Sequence, residues 1–300
     1  MACGTMRGMS TSGLDAASLD HLQSWEGRTE TLHDLLTPAP LRALAATLDR
    51  DDPEPVAGTL LPPLWHWLFF LPHHQQSEIG PDGHARRGGF LPPVPLPRRM
   101  WAGSRLHWLA PLRVGEAVQR TSRIVSVTHK SGRSGDLLFV LVRHEIHNGQ
   151  GLCLTEEHDI VYRPAALPGE QGAAPLKAQN PPVWERSLVP DDVLLFRYSA
   201  LTFNGHRIHY DRKYVTEVEG YPGLVVHGPL IATLLLDLVR RHTGRPVTHF
   251  EFRALRPTYE CADGRALKVC GIPEGDRVQL WAQDHEGWLT MQASASLGSA

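Results

Sequence analysis

The order of elements in this 300-residue chain is written twice. A segment rich in Pro, Gly and Ala, "YRPAALPGEQGAAPLKAQNPPVWERSLVP" from Tyr162 to Pro190, separates two stretches of similar layout. On each side, helical apolar material is followed by about four strand-like runs. After the segment, "GPLIATLLLDLVRRHTG" (Gly228 to Gly244) has the apolar density of a helix buried on most sides, with basic residues in its last turn and glycine beyond. "VTHFEFRALRP", "ALKVCGI", "DRVQLWAQD" and "WLTMQASASLG" then read as strands between Gly, Pro and Asp turns. Before the segment, "APLRALAATLDR" and "GTLLPPLWHWLFF" read as helical, and "RLHWLAPLRVGE", "RTSRIVSVTHK", "DLLFVLVRHEIH" and "LCLTEEHDIVYR" as strands.

Two local echoes, "LAPLRVG" beside "FRALRPT" and "IHNGQGLCLTEE" beside "DHEGWLTMQASA", support duplication. The class is α+β: two halves, each a bent antiparallel sheet against a helix, an arrangement that buries both apolar faces. Such halves can join their sheets edge to edge or pack helix on helix, and either leaves a cleft suited to a ligand. The expected boundaries are a frayed tail over 1–20, a first half over 21–163, a linker over 164–190 and a second half over 191–300.

Charge and composition exclude several classes. Thirty Lys and Arg against 32 Asp and Glu leave no single-sign field to gather nucleic acid or an anionic membrane. The greasiest run, "LLPPLWHWLFFLP", is too short and too broken by proline to span a bilayer. The opening residues lack the apolar stretch of a secretory signal, so the expected address is cytoplasmic. Cys3, Cys153, Cys261 and Cys270 form no CxxC pair and read as reduced structural thiols.

One stretch follows no structural period. "SALTFNGHRIHYD", Ser199 to Asp211, concentrates two histidines, an arginine, an asparagine and an aspartate on irregular backbone, where function often sits. Asp211 suits the N-cap of a short helix over "RKYVTEVE". His206, His209 and Asp211 are also conceivable metal ligands, but their spacing matches no helix-borne zinc motif, so no metal or cofactor is expected.

The loop and the later "VVHGPL" together resemble the MaoC-like hydratases and dehydratases of the hot-dog fold, which carry Asp, four residues and His, then His-Gly at the start of a central helix. Asn204, His209, His227 and Gly228 occupy those positions. With "LPPLWHWLFFLP" and "GPDGHARRGGFLPPVPLPRRMWAG", most of the chain is similar to the double hot-dog branch that includes mesaconyl-C4-CoA and itaconyl-CoA hydratases. The resemblance implies two hot-dog domains, reversible hydration of an enoyl-CoA with a C5 dicarboxylyl-CoA favoured, and a homodimer or higher homo-oligomer. Fatty 3-hydroxyacyl-thioester dehydration, thioester hydrolysis and non-catalytic acyl-CoA binding are the rivals, since fold does not fix function.

The resemblance also assigns roles. His209 is the general base, Asn204 positions the water, and the Gly228 N–H at the helix start receives the thioester oxygen. Asn204 departs from the usual carboxylate, and an amide neither takes nor gives a proton at neutral pH. Ser199, His206 and His227 are expected to line the acyl site. Arg207, where many relatives have proline, is either a bidentate partner for an acyl carboxylate or a surface arginine. Arg98 and Arg99 are either CoA-phosphate contacts or an exposed basic pair, and the first half is expected to shape the cleft without chemistry of its own.

Overall fold

A computed structural model describes residues 14–132, 135–165, 174–260 and 263–299. The first half comprises α1 (Ala16–Gln23), β1 (Thr29–Leu35), α2 (Pro38–Thr47), β2 (Arg98–Trp108), β3 (Ala117–Gly132), β4 (Gly135–Asn148) and β5 (Gly151–Arg163). The second comprises β6 (Trp184–Leu188), α3 (Asp192–Leu201), α4 (Arg212–Glu217), α5 (Gly228–His242), β7 (Val247–Ala254), β8 (Leu267–Glu274), β9 (Arg277–Gln283) and β10 (Leu289–Leu297).

The strands form one ten-stranded sheet in the order β1-β3-β4-β5-β2-β7-β10-β9-β8-β6. The halves therefore join edge to edge, through antiparallel pairing of β2 with β7 in which Gly103 faces Arg253 and His107 faces His249. This junction removes two open strand edges at once. Gly103 sits where the Phe252 carbonyl would collide with any Cβ, so the seam admits only glycine there. Further along it, the His107 and His249 rings stack 3.9 Å apart.

α5 is the central rod of the second half. Leu230, Leu234, Leu235, Leu236, Leu238 and Val239 are all buried, and the helix lies against β6, β8, β9 and β10. Two polar groups, Thr233 and the charged Asp237, are trapped with them. Asp237 has no exposed surface and takes ion pairs from Arg50, Arg186 and Arg241, at 2.6, 2.8 and 2.7 Å. A buried carboxylate is tolerable only when so compensated. Because Arg50 follows α2, the cluster also ties the halves together.

Four expectations need correction. The helical reading of "GTLLPPLWHWLFF" fails: only a 3₁₀ turn over Trp65–Leu68 forms. Pro62 and Pro63 lack the N–H groups a helix needs, and Leu64 and Phe70 take positive φ values of 68° and 54°. The first half thus has only the ten-residue α2 where the second has α5. Residues 16–20, expected in the tail, belong to α1, which Asp15 caps by accepting from Ser18 N at 2.8 Å. Within the expected linker, β6 pairs with β8. Residues 1–13 and 166–173, and with them Cys3, lie outside the described residues, as does Cys261, while Cys153 and Cys270 are free and buried.

Candidate active site

The histidine loop leaves α3 through a left-handed residue. Phe203 has φ 49°, and Asn204 N donates back to Ser199 O at 2.8 Å, which ends the helix. The Asn204 side-chain oxygen accepts from His206 N at 3.0 Å, an Asx turn that lifts the chain into the 3₁₀ turn Arg207–His209. That oxygen shapes the loop with one of its two lone pairs; the other, and the amide nitrogen, remain for a water. Asp211 then caps α4, accepting from Tyr214 N, as its residue type predicts.

His209 is 8% exposed and its Nδ1–H donates to the Val225 carbonyl at 2.7 Å. A carbonyl only accepts, so this bond fixes the tautomer and leaves Nε2 with a lone pair. Burial, with a smaller contribution from His84, lowers the pKa to about 4 against the opposing Val225 hydrogen bond. The ring is therefore a neutral base at pH 7. It lies flat on His227, centroids 3.7 Å apart and planes 17° apart.

His227 immediately precedes α5 and is buried. Its Nε2 shares a 2.8 Å hydrogen bond with Ser199 Oγ, while Nδ1 has no partner. Burial first, then His209 and His206, keeps it uncharged by pushing its pKa well down. Ser199 and His227 thus engage each other behind His209 rather than lining the open face of the site. Next to them Gly228 opens α5, where the first amides lack helical acceptors; Pro229 follows, and apart from its chain neighbours and the helix's own backbone no atom lies within 4 Å of the place a Gly228 Cβ would take. The Gly228 N–H, in the first turn of a fifteen-residue helix, has no helical acceptor, and the residue before it, His227, is the one stacked on His209.

Arg207 does not have the freedom expected of a carboxylate clamp. Its Nε and Nη2 donate to Asp211 at 3.0 and 2.7 Å, Nη1 donates to the Pro81 carbonyl at 3.0 Å, and the guanidinium lies 4.1 Å from the Tyr214 ring centroid. Arg98 covers the Tyr221 ring at 5.2 Å and so reaches the second half, through an aromatic face.

The first half is not silent at this site. A tight turn closed by the Ile79–Ala85 bridge carries Pro81 to His84 against the histidine loop. Arg207 N donates to Asp82 O at 2.9 Å, and Gly83, at φ 89°, packs so closely on the Gly205 carbonyl that no Cβ fits. Asp82 Oδ2 accepts from His84 Nδ1 at 3.1 Å, and the His84 ring lies 3.9 Å from that of His206, which is 5.4 Å from His209. Burial, then His84 and His209, pushes the His206 pKa far down. Asp82 is the reverse case: burial opposes its charge, but the His84 hydrogen bonds hold its carboxyl well below the usual range. The Asp-Gly-His run within "GPDGHARR" was the available signal, a turn in which the aspartate orients the histidine two residues on.

Asp82, His84 and His206 bring ligand-type atoms within 4.8 Å of one another. Asp82 and His84 are bonded to each other, however, and the two imidazoles overlap instead of converging on a point, so the arrangement suits proton transfer better than metal ligation. The expected alternative set of His206, His209 and Asp211 is not brought together, because Asp211 is turned to Arg207 and the α4 amides.

Residues 64–260 match the family model for hydroxyacyl-thioester dehydratase type 2. Mesaconyl-C(4)-CoA hydratase of Chloroflexus aurantiacus is 50% identical over 278 residues, covering 92% of this chain and 97% of that protein. A solved MaoC-like dehydratase superposes with TM-score 0.69 at 15% identity, over 93% of this chain and 100% of its own. A conserved hypothetical protein of Mycobacterium tuberculosis with a double hot-dog fold gives 0.55 at 15% identity, over 93% and 98%. The chain belongs to the hydroxyacyl-thioester dehydratase type 2 family, MaoC-like hydro-lyases of the double hot-dog fold.

Proposed function

We propose that this protein reversibly adds water to the double bond of an enoyl-CoA, with a C5 dicarboxylyl-CoA such as mesaconyl-C4-CoA as the favoured substrate. The observation that carries the reading is His209: a neutral imidazole, held by Val225 with Nε2 free, beside the open amide of Gly228. In the hydration direction the Gly228 N–H receives the thioester oxygen as negative charge builds there, and His209 Nε2 takes a proton from the attacking water. An oxyanion donor of this kind is worth on the order of 3 kcal/mol, and a positioned base about two to four powers of ten in rate. The 50% identity to a mesaconyl-C(4)-CoA hydratase supports the substrate class.

A second reading, dehydration of 3-hydroxyacyl thioesters on longer chains, is favoured by the family model that covers residues 64–260. Mesaconyl-C4-CoA, itaconyl-CoA and unbranched enoyl-CoA esters, assayed side by side for loss of conjugated absorbance and for thiol release, test both. Loss of absorbance without thiol supports hydration, and the preferred ester selects between the readings. Thiol release indicates a thioesterase, and neither signal indicates a binding module.

The proposal includes a homodimer or larger homo-oligomer in the cytoplasm. Exposed Val193 and Phe196, one turn apart on α3, and Phe203 beyond it form an apolar face of the kind a second subunit covers. The free thiols Cys153 and Cys270 suit a reducing compartment. No helix of the described residues is long and apolar enough to cross a membrane. Light scattering of the purified protein and cell fractionation test these parts.

A further inference from the structure

We propose that Asp82 and His84, supplied by the first half, form the second proton-transfer pair of the site, with His84 exchanging the proton at the substrate α carbon. The assignment rests on the hydratase reading above and extends it. Hydration moves two protons, one off the water and one onto the α carbon, yet in the histidine loop Asn204 stands where a second proton carrier would be and cannot act as one. His84 can. Its Nδ1–H donates to Asp82 Oδ2 at 3.1 Å, so Nε2 is the free nitrogen, and the carboxylate stabilises the imidazolium that forms transiently.

Among the four clustered imidazoles, His84, His206, His209 and His227, only His84 has a carboxylate partner. The other recorded partners are neutral: Val225 O for His209 and Ser199 Oγ for His227. His84 is thus the ring on which an extra proton is least costly. Its side chain is 27% exposed, which gives it access to solvent that His209 lacks.

The loop is seated largely by backbone contacts. The Arg207 N–H donates to Asp82 O, Arg207 Nη1 donates to Pro81 O, and Gly83 rests on the Gly205 carbonyl. To these the His84 ring adds its contact with His206, and Asp82 Oδ1 accepts from His84 N within the turn.

The protons balance. His209 Nε2 takes a proton from water as the oxygen bonds to the β carbon, and the π electrons of the double bond move onto the thioester oxygen at Gly228. The resulting enolate collapses to a C–H bond at the α carbon with the proton of His84, whose imidazolium returns to neutral. The proton held by His209 then passes back to His84 through the intervening His206 ring. Dehydration runs the same steps in reverse, with His84 removing the α proton.

The test compares full-length wild type with His84→Ala, Asp82→Asn and His209→Gln on the best enoyl-CoA and on its α-deuterated 3-hydroxyacyl product. His84→Ala is expected to lose about 100-fold in kcat with KM within about threefold, and to recover at least about tenfold on adding free imidazole. Asp82→Asn is expected to lose about tenfold, a change that leaves side-chain volume intact. His209→Gln, inactive in dehydration, should still wash α-deuterium into water, and His84→Ala should not. An active wild type whose His84→Ala retains kcat within threefold, or loses only KM, overturns this assignment alone. Stoichiometric divalent metal bound by Asp82, His84 and His206 also overturns it, because a ligated imidazole cannot carry the proton. A wild type inert toward every enoyl-CoA overturns the hydratase reading together with the assignment.

Discussion

His209 lies parallel to His227, ring centroid on ring centroid at 3.7 Å, and this stack couples the catalytic loop to the start of α5. His227 backs His209, the proposed base, and immediately precedes Gly228, whose amide is the proposed thioester donor. Base and amide therefore share one frame, which limits the distance between the two groups that must act together on a single substrate. His209→Ala should lose two to four powers of ten in kcat, on the scale typical of a general base, while circular dichroism shows an intact fold. Turnover above roughly a tenth of wild type would remove His209 from the mechanism.

Gly228→Pro isolates the amide. Proline is accommodated at the first helical position, His227 already has the extended ψ of 127° that proline favours before it, and the Cβ position is open apart from the helix's own backbone and chain neighbours. The substitution deletes only the N–H. The expected result is a fall in kcat of about 10²–10³ with little change in melting temperature. Unchanged kcat would place the thioester oxygen elsewhere.

The pH dependence of stability follows from the buried rings. The folded pKa of His209 is about 4, below the ordinary 6.5, so between those values the unfolded chain binds more protons than the native one. Stability contributed by the neutral ring is complete above about pH 6.5 and is lost as pH falls toward 4. The shift corresponds to roughly 3 kcal/mol for His209 alone, and His206, His227 and His144 act in the same direction. Urea titrations between pH 7.5 and 4 should show this decline, and His209→Gln should flatten it.

Asp237 faces three arginines from three different elements, with no exposed surface of its own. Asp237→Ala takes the shared carboxylate from three half-buried arginines, of which Arg50 keeps Asp52, and should cost about 3–5 kcal/mol in denaturant unfolding. A loss below about 1 kcal/mol would mean that the arginines find other partners or solvent.

Gly83→Ala tests the contact between halves. The residue combines a φ of 89° with a backbone carbonyl where its Cβ would go, so alanine must push the turn off Gly205. Activity should fall more than about tenfold with only about 1–3 kcal/mol of stability lost, since the sheet seam is remote from the turn. Wild-type activity would show that the turn does not need to dock.

Much of the fold was legible because periodicity is local. The α5 helix and strands β2–β5 and β7–β10 follow from apolar spacing and turn residues that lie beside one another in the chain. The errors arose where local pattern was outweighed. "GTLLPPLWHWLFF" is apolar enough for a helix, but two prolines and the need to seat Trp65 and Leu68 in the core forced irregular backbone. β6 lay hidden in polar, proline-flanked sequence because its stability comes from pairing with β8, about 80 residues away in the chain.

The sequence by itself determined which residues can do acid–base chemistry in the histidine loop, and that a buried helix begins with His-Gly just after it. Only the tertiary structure decided that the Asn204 oxygen accepts from His206 N, that Arg207 is held by Asp211 and Pro81, and that Asp82 and His84 arrive from more than a hundred residues away. Side-chain chemistry is a property of each residue and can be read from a string. Which partner fills a lone pair depends on long-range docking, here the meeting of two sheet edges and two glycines, and no local spacing encodes it.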